Sequence, residues 1–127
     1  MSRPFQFTGR LRSFKYALQG IAYMLKSQHN AWLHAAATLV VVGGGLYFQI
    51  SIPEWCWTVL AITSVWTAEA MNTAFEFLCD ATTKDFHPLV GRAKDVAAGA
   101  VLLTALGASL IGLIIFLPKI LGLFTIE

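Results

Sequence analysis

The chain has 127 residues, of which 57% are hydrophobic and only 13% are charged. A typical soluble domain carries about a quarter charged residues, and a domain this small leaves too much surface exposed to hide so many apolar side chains. The composition argues against a soluble protein and predicts one integral-membrane domain over residues 1–127. A formal net charge of +2 is too small to indicate a nucleic-acid partner.

The first predicted element is a basic amphipathic helix over about residues 11–28, LRSFKYALQGIAYMLKSQ. Its apolar residues recur at helical spacing, and they are Phe14, Leu18, Ile21 and Leu25. Such a helix suits the surface of a membrane. The alternative is a soluble helix packed on a partner protein, but the apolar segments that follow directly favour the membrane surface.

Three transmembrane helices are predicted next, over about residues 31–50, 54–78 and 96–117. About 20 apolar residues cross a hydrocarbon core of about 30 Å. Within the first span, Gly43, Gly44 and Gly45 are expected to allow close helix approach. Residues 79–95 are polar and predict a loop or a broken helix, and Pro118 is expected to end the third span. The fold class is therefore all-α, with a surface helix and three spans.

The basic residues predict the orientation of these spans. All nine Lys and Arg residues except Lys119 precede the first span or lie between the second and third. Those two segments share one side of the bilayer. The positive-inside rule places that side, with the N-terminus, in the cytoplasm and the C-terminus outside.

Polar residues form one stripe on the second span. The stripe consists of Glu69, Asn72, Thr73, Glu76 and Asp80, which fall on one helical face. A bare carboxylate in a bilayer costs at least ~2.5–3.5 kcal/mol, so Glu69 must be protonated, paired, bound to a metal or exposed to water. A polar contact between helices is the simpler alternative, but several acids with an amide on one stripe favour a functional site.

The chemistry of the stripe suits a metal and a phosphate. Carboxylate oxygens are ligands that Mg²⁺ prefers, and Lys94, Arg92 and His87 follow on the same side, where cations could neutralise a nucleotide phosphate. Positive-inside topology alone would also explain Lys94 and Arg92. On pattern alone, His34 fits a packed polar residue between helices, and Tyr16 fits an interfacial anchor.

Two segments resemble the bacterial diacylglycerol kinase family, which includes the undecaprenol kinases. They are AEAMNTAFEFLCD (68–80) and FHPLVGRAKDVAAGAVLL (86–103), and the resemblance extends through SFKYALQGI (13–21), NAWLH (30–34) and GLIIFLPKI (112–120). It implies a homotrimer with a surface helix and three spans per subunit. It also implies transfer of the γ-phosphoryl group of Mg·ATP to the hydroxyl of a membrane lipid, at sites between subunits near the cytoplasmic interface.

The resemblance assigns roles to individual residues. Glu69 matches the catalytic base and Asn72 a polar residue beside it, so both are expected at the lipid hydroxyl. Glu76 matches a metal ligand. The nucleotide contacts that it implies are Tyr16, Gln28, Glu76, Asp85, His87, Lys94 and Asp95.

Two positions depart from the family's pattern. Gln28 stands where the family usually has a Glu that helps hold Mg²⁺, and its amide oxygen could still ligate the ion but without a charge. Trp32 replaces an Arg that is common in the family. Both changes are expected to weaken the attraction for Mg·ATP, although Gln28 and Glu76 remain the predicted metal ligands.

These observations predict a lipid kinase that acts on undecaprenol or diacylglycerol. The segments NAWLH and GLIIFLPKI favour the undecaprenol-type subgroup slightly. The alternative is a non-enzymatic membrane subunit or a small proton or cation pathway protein, because carboxylates inside a helix bundle also suit ion passage.

Overall fold

The computed structural model describes residues 7–82 and 87–125. These residues form four α helices: α1 (Phe7–Ser27), α2 (His29–Tyr47), α3 (Ile52–Thr82) and α4 (Pro88–Phe124). Both described ranges lack β strands, which agrees with the predicted all-α class. Helix α3 contacts each of the other three helices, and its longest interface is with α4.

Helix α1 carries the predicted apolar face, and that face is open. Phe14 is 70% exposed and Leu18 is 66% exposed, whereas Met24 near the end of the helix is buried. A single residue, Gln28, separates α1 from α2 and has an extended backbone with φ −110°. The amphipathic helix is therefore attached to the rest of the chain at its C-terminal end.

Glycine allows α2 to pack closely where the chain turns into α3. A Cβ atom on Gly45 would lie 2.7 Å from Cη2 of Trp55, and one on Gly44 would lie 3.4 Å from the ring of Phe116. Gly43 faces open space. The expected close approach thus occurs at two of the three glycines.

Helix α3 begins with a capping box. The backbone N–H of Ser51 donates to the carboxylate of Glu54 at 2.7 Å, and the backbone N–H of Glu54 donates to the hydroxyl of Ser51 at 3.4 Å. The buried residues of α3 lie mostly on one face, and they are Thr58, Ala61, Val65, Glu69, Asn72, Thr73 and Cys79. The buried acid and amide of α3, Glu69 and Asn72, therefore lie in the half of the helix nearer its C-terminus.

One expectation about the third predicted span is wrong. Helix α4 does not end at Pro118 but continues through it to Phe124, and an ion pair of 2.9 Å between Lys119 and Glu54 connects this last part to the start of α3. Residues 79–95 agree with the broken helix that was one of the two predicted alternatives, since α3 extends to Thr82 and α4 begins at Pro88. Proline is favourable in the first turn of a helix, and the side chain of His87 caps this one.

Of the described helices, α4 has the length and apolar composition best suited to cross a bilayer. By length and composition, α4 is the one helix of the described chain that qualifies as a membrane span, with a mean hydropathy of 2.6 over its most apolar window. The polar stripe lies on α3.

Candidate functional site

Glu69 is the most deeply buried acid of the described residues. Its side chain is 0% exposed, and neither carboxylate oxygen accepts a hydrogen bond. Its backbone carbonyl accepts a hydrogen bond of 2.9 Å from the hydroxyl of Thr73, one turn along α3. A buried carboxylate without donors is costly, and this cost indicates that Glu69 serves some purpose other than stability.

His34 of α2 is the neighbour of the Glu69 carboxylate. The atoms His34 Nε2 and Glu69 Oε2 lie 3.5 Å apart, and Nε2 has no hydrogen-bond partner. The imidazole lies edge-on against Trp66 of α3, with 6.2 Å between ring centroids. Thr38 accepts a hydrogen bond from Trp66 Nε1 at 3.1 Å and donates to the His34 carbonyl at 2.7 Å. These contacts fix the ring beside Glu69.

Sequence reasoning did not identify this pairing. His34 was expected to be a packed polar residue between helices, and its contact with Trp66 agrees with that expectation. Its contact with Glu69 depends on how α2 and α3 are placed side by side. The spacing of residues within either helix does not encode that placement, and a titratable ring in an otherwise uncharged segment was the available signal.

Glu76 connects α3 with the linker between α1 and α2. Its Oε2 accepts a hydrogen bond from the amide of Gln28 at 2.8 Å, and its Oε1 accepts one from the amide of Asn72 at 3.2 Å. The carbonyl oxygen of Asn72 is buried without a partner. The Glu76 carboxylate thus receives the amide nitrogens of Gln28 and Asn72 near the junction of α1 and α2.

The oxygen atoms around Glu76 are of the kind that Mg²⁺ prefers. Mg²⁺ is usually held by one or two carboxylates, with substrate phosphates and waters completing its shell. Across residues 7–82 and 87–125, no three side chains of the His, Cys, Asp and Glu types gather as a metal cage.

Lys94 pairs with Asp80 across the interface of α3 and α4. The ammonium group of Lys94 donates to the Asp80 carboxylate. This hydrogen bond raises the pKa of Lys94, and the charge of Glu76 makes a smaller contribution in the same direction. Lys94 thus stays charged at neutral pH and lies at the end of α3 that carries Glu76.

The remaining predicted nucleotide contacts are not gathered around Glu76 within one chain. Tyr16 is 61% exposed on α1, Asp95 is exposed on α4, and neither makes a side-chain hydrogen bond among the described residues. The Nδ1 atom of His87 accepts a hydrogen bond of 3.3 Å from the backbone N–H of Leu89, as a helix cap. Asp85 lies outside the described residues.

Two clefts adjoin the polar face. An apolar groove of about 790 Å³ runs between α2, α3 and α4, and His34 and Trp66 contribute to its wall. A second cleft of about 600 Å³ lies between α3 and α4 and is lined in part by Asn72 and Arg92. Glu69 lines neither of them.

Several known proteins are similar in sequence to this chain over most of its length. The pattern of the prokaryotic diacylglycerol kinase family matches residues 15–116. The undecaprenol kinase of Bacillus subtilis (strain 168) is 41% identical over 109 residues, which cover 86% of this chain and 89% of that protein. A diacylglycerol kinase of Synechocystis is 37% identical over 116 residues, which cover 89% of this chain and 65% of that protein. The diacylglycerol kinase of Escherichia coli (strain K12) is 30% identical over 105 residues, which cover 75% of this chain and 84% of that protein.

Proposed function

Because the chain belongs to the prokaryotic diacylglycerol kinase family, we propose that it transfers the γ-phosphoryl group of Mg·ATP to the hydroxyl of a membrane lipid alcohol. Family membership confirms the predicted resemblance and the assignment as a lipid kinase. It also favours an enzyme over the non-enzymatic subunit or ion pathway that the acidic stripe left open.

The residue assignments that we propose rest on one observation. Glu69, Asn72 and Glu76 lie on one face of α3, and Gln28 reaches Glu76 from the junction between α1 and α2 at 2.8 Å. A proton acceptor and a set of oxygen ligands therefore lie within two helical turns of each other. Phosphoryl transfer requires little more than positioning and the neutralisation of charge.

We assign Glu69 as the general base. Its buried carboxylate has no hydrogen-bond donor to stabilise its charge, so uptake of a proton from the lipid hydroxyl relieves an unfavourable interaction. Asn72, one turn further along α3, would hold the acceptor hydroxyl beside it. The water-poor setting would also limit wasteful hydrolysis of ATP.

We assign Glu76 and Gln28 as the residues that would hold Mg²⁺, with rotation of the Gln28 amide to present its oxygen. When bound, the ion would neutralise charge on the nucleotide phosphates. Lys94 would exchange Asp80 for a phosphate. Further nucleotide contacts are proposed at Tyr16, Asp85, His87 and Asp95, in addition to Gln28 and Glu76.

We further propose that α2, α3 and α4 each cross the bacterial plasma membrane, with the N-terminus in the cytoplasm and the C-terminus outside. A homotrimer would cover apolar surface that one chain leaves exposed, such as Leu39 at 74% and Leu103 at 72%. It would also allow residues that are apart within one chain, such as Tyr16 and Glu76, to meet across a subunit interface.

Undecaprenol is the acceptor that we favour over diacylglycerol. The undecaprenol kinase of Bacillus subtilis shares 41% identity with this chain, and the diacylglycerol kinases of Synechocystis and Escherichia coli share 37% and 30%. The segment NAWLH, which contains His34, supports the same choice.

The test is a comparison of acceptors. Purified protein in lipid bicelles is supplied with Mg²⁺, γ-labelled ATP and either undecaprenol or diacylglycerol. We expect labelled undecaprenyl phosphate to form faster than labelled phosphatidic acid. Faster labelling of diacylglycerol would reverse the choice of acceptor, and no labelled lipid from either alcohol would refute the kinase function.

A further inference from the structure

The buried position of Glu69 raises the question of how it loses a proton between turnovers. A general base that has taken a proton must return to its carboxylate form before it can act again. The side chain of Glu69 is 0% exposed and lines neither cleft. In this arrangement neither carboxylate oxygen of Glu69 is in contact with solvent.

His34 is the group placed to take that proton. It is the one basic side chain of the described residues within 4.0 Å of the Glu69 carboxylate. Its Nε2 atom is buried without a partner, as is Glu69 Oε2, and the two atoms lie 3.5 Å apart. A neutral imidazole has one nitrogen that accepts a proton and one that donates a proton, so the ring can take a proton on one side and give one up on the other.

His34 also connects Glu69 to the outside of the helix cluster. Its side chain remains 17% exposed, and it forms part of the wall of the apolar groove between α2, α3 and α4. It lies six positions after Gln28, which corresponds to about 9 Å along a helix. The imidazole therefore contacts the buried acid and also borders the groove.

The surroundings of His34 contain few other charges. On helix α3, Glu69 contacts His34 directly, and Glu76 lies two turns further along the same helix. The α4 residues Ala105, Ala108 and Ser109, which line the same groove, are not titratable. Several titratable groups on α1 and α2 form no described hydrogen bond or ion pair with His34, and they are Arg12, Lys15, Tyr16, Tyr23, Lys26, His29 and Tyr47.

We propose that His34 is a proton relay for Glu69, an inference that rests on the proposed kinase function. As the acceptor oxygen bonds to the γ-phosphorus and the bond from that phosphorus to ADP breaks, the hydroxyl proton passes to the Glu69 carboxylate. The proton then moves from Glu69 to Nε2 of His34, and the imidazolium releases a proton to water. Glu69 is a carboxylate again, and each turnover yields one phosphorylated lipid, one ADP and one proton.

The test combines two variants with chemical rescue. His34→Ala is expected to lower kcat with undecaprenol by about 100-fold while leaving the KM for ATP unchanged, and added imidazole should restore kcat in a concentration-dependent manner. His34→Gln keeps a hydrogen-bonding side chain of similar reach but cannot carry a proton, so it should be as slow as His34→Ala. The matched control is His29→Ala, an exposed histidine on the same helix, whose rate should equal that of the wild type with or without imidazole.

Two results would overturn the relay. One is a His34→Gln rate close to that of the wild type, which would reduce His34 to a positioning or packing role. The other is a His34→Ala rate that imidazole does not raise, in protein that still binds ATP as the wild type does. A wild-type protein that labels neither alcohol would instead refute the kinase function, and the relay would fall with it.

Discussion

Glu76 accepts hydrogen bonds from two amides, one on each carboxylate oxygen. The Glu76 carboxylate is thus stabilised by amide dipoles and not by a cation, because Lys94 pairs with Asp80. A charged amine at either amide position would compete with Mg²⁺. The two neutral amides are therefore compatible with a site that binds its cation only together with a nucleotide.

Substitution of Gln28 by Glu tests this assignment. The variant would place two carboxylates where an amide nitrogen now lies 2.8 Å from Glu76, and a divalent cation would relieve their repulsion. We expect the Mg²⁺ concentration that half-saturates kinase activity to fall roughly tenfold, equivalent to about 1.4 kcal/mol. Gln19→Glu, on the exposed part of α1, makes the same chemical change away from the site and should leave this concentration unchanged. An unchanged or weaker Mg²⁺ dependence in Gln28→Glu would show that Gln28 is not at the metal.

The burial of Glu69, Asn72 and Thr73 could be anticipated from sequence, because their spacing puts them on one face of a helix and lipid penalises any other placement. The contact of Glu69 with His34 could not be anticipated, because it joins residues 35 positions apart and depends on the register between helices. The proximity of Gln28 and Glu76 was expected only from the family resemblance, which assigns both to the metal, since 48 positions separate them.

At the scale of the helices, composition predicted their number and type better than their ends. Loops were assigned where polar residues or proline interrupt the apolar pattern. Polar residues such as Asp80 remain helical because α3 and α4 support each other there through the pair with Lys94. Pro118 remains within α4, since α4 has an ion pair to α3 immediately beyond it.

The turn between α2 and α3 offers a matched pair of substitutions. Gly45→Ala places a methyl group 2.7 Å from the Trp55 ring, and overpacking of this kind costs typically about 1–3 kcal/mol. Gly43→Ala adds the same methyl group where nothing lies within 4 Å. We expect thermal unfolding in detergent to show a lower Tm for Gly45→Ala and an equal or higher Tm for Gly43→Ala. Equal Tm values for both variants would contradict the close packing of Gly45 against Trp55.

In the whole molecule, a single chain leaves many apolar side chains exposed. It also keeps apart residues that are proposed to form one site. Apolar side chains are exposed on all four helices, for example Phe14 on α1, Leu39 on α2, Leu60 on α3 and Leu103 on α4. The residues proposed to bind the nucleotide are divided between the Glu76 cluster and separate positions on α1 and α4. The proposed homotrimer, surrounded by lipid, would account for both features.

Mixed oligomers test the shared site. Glu69→Gln and Lys94→Ala chains, each expected to be inactive alone, are co-expressed with different tags and purified through both. If each site of a trimer takes Glu69 from one subunit and Lys94 from its neighbour, every mixed trimer has one intact site of three, so the purified protein should show about a third of the wild-type rate. Activity no greater than that of either variant alone would show that both residues of a site come from the same chain.

The proposed role of the buried acid of α3 is that of general base in phosphoryl transfer to a lipid hydroxyl. Its most direct test measures label transfer from γ-labelled ATP to undecaprenol by wild-type and Glu69→Gln proteins, alongside their affinity for ATP. We predict that Glu69→Gln lowers kcat by at least about 100-fold and binds ATP as the wild type does. A Glu69→Gln protein that labels undecaprenol at the wild-type rate would contradict the claim.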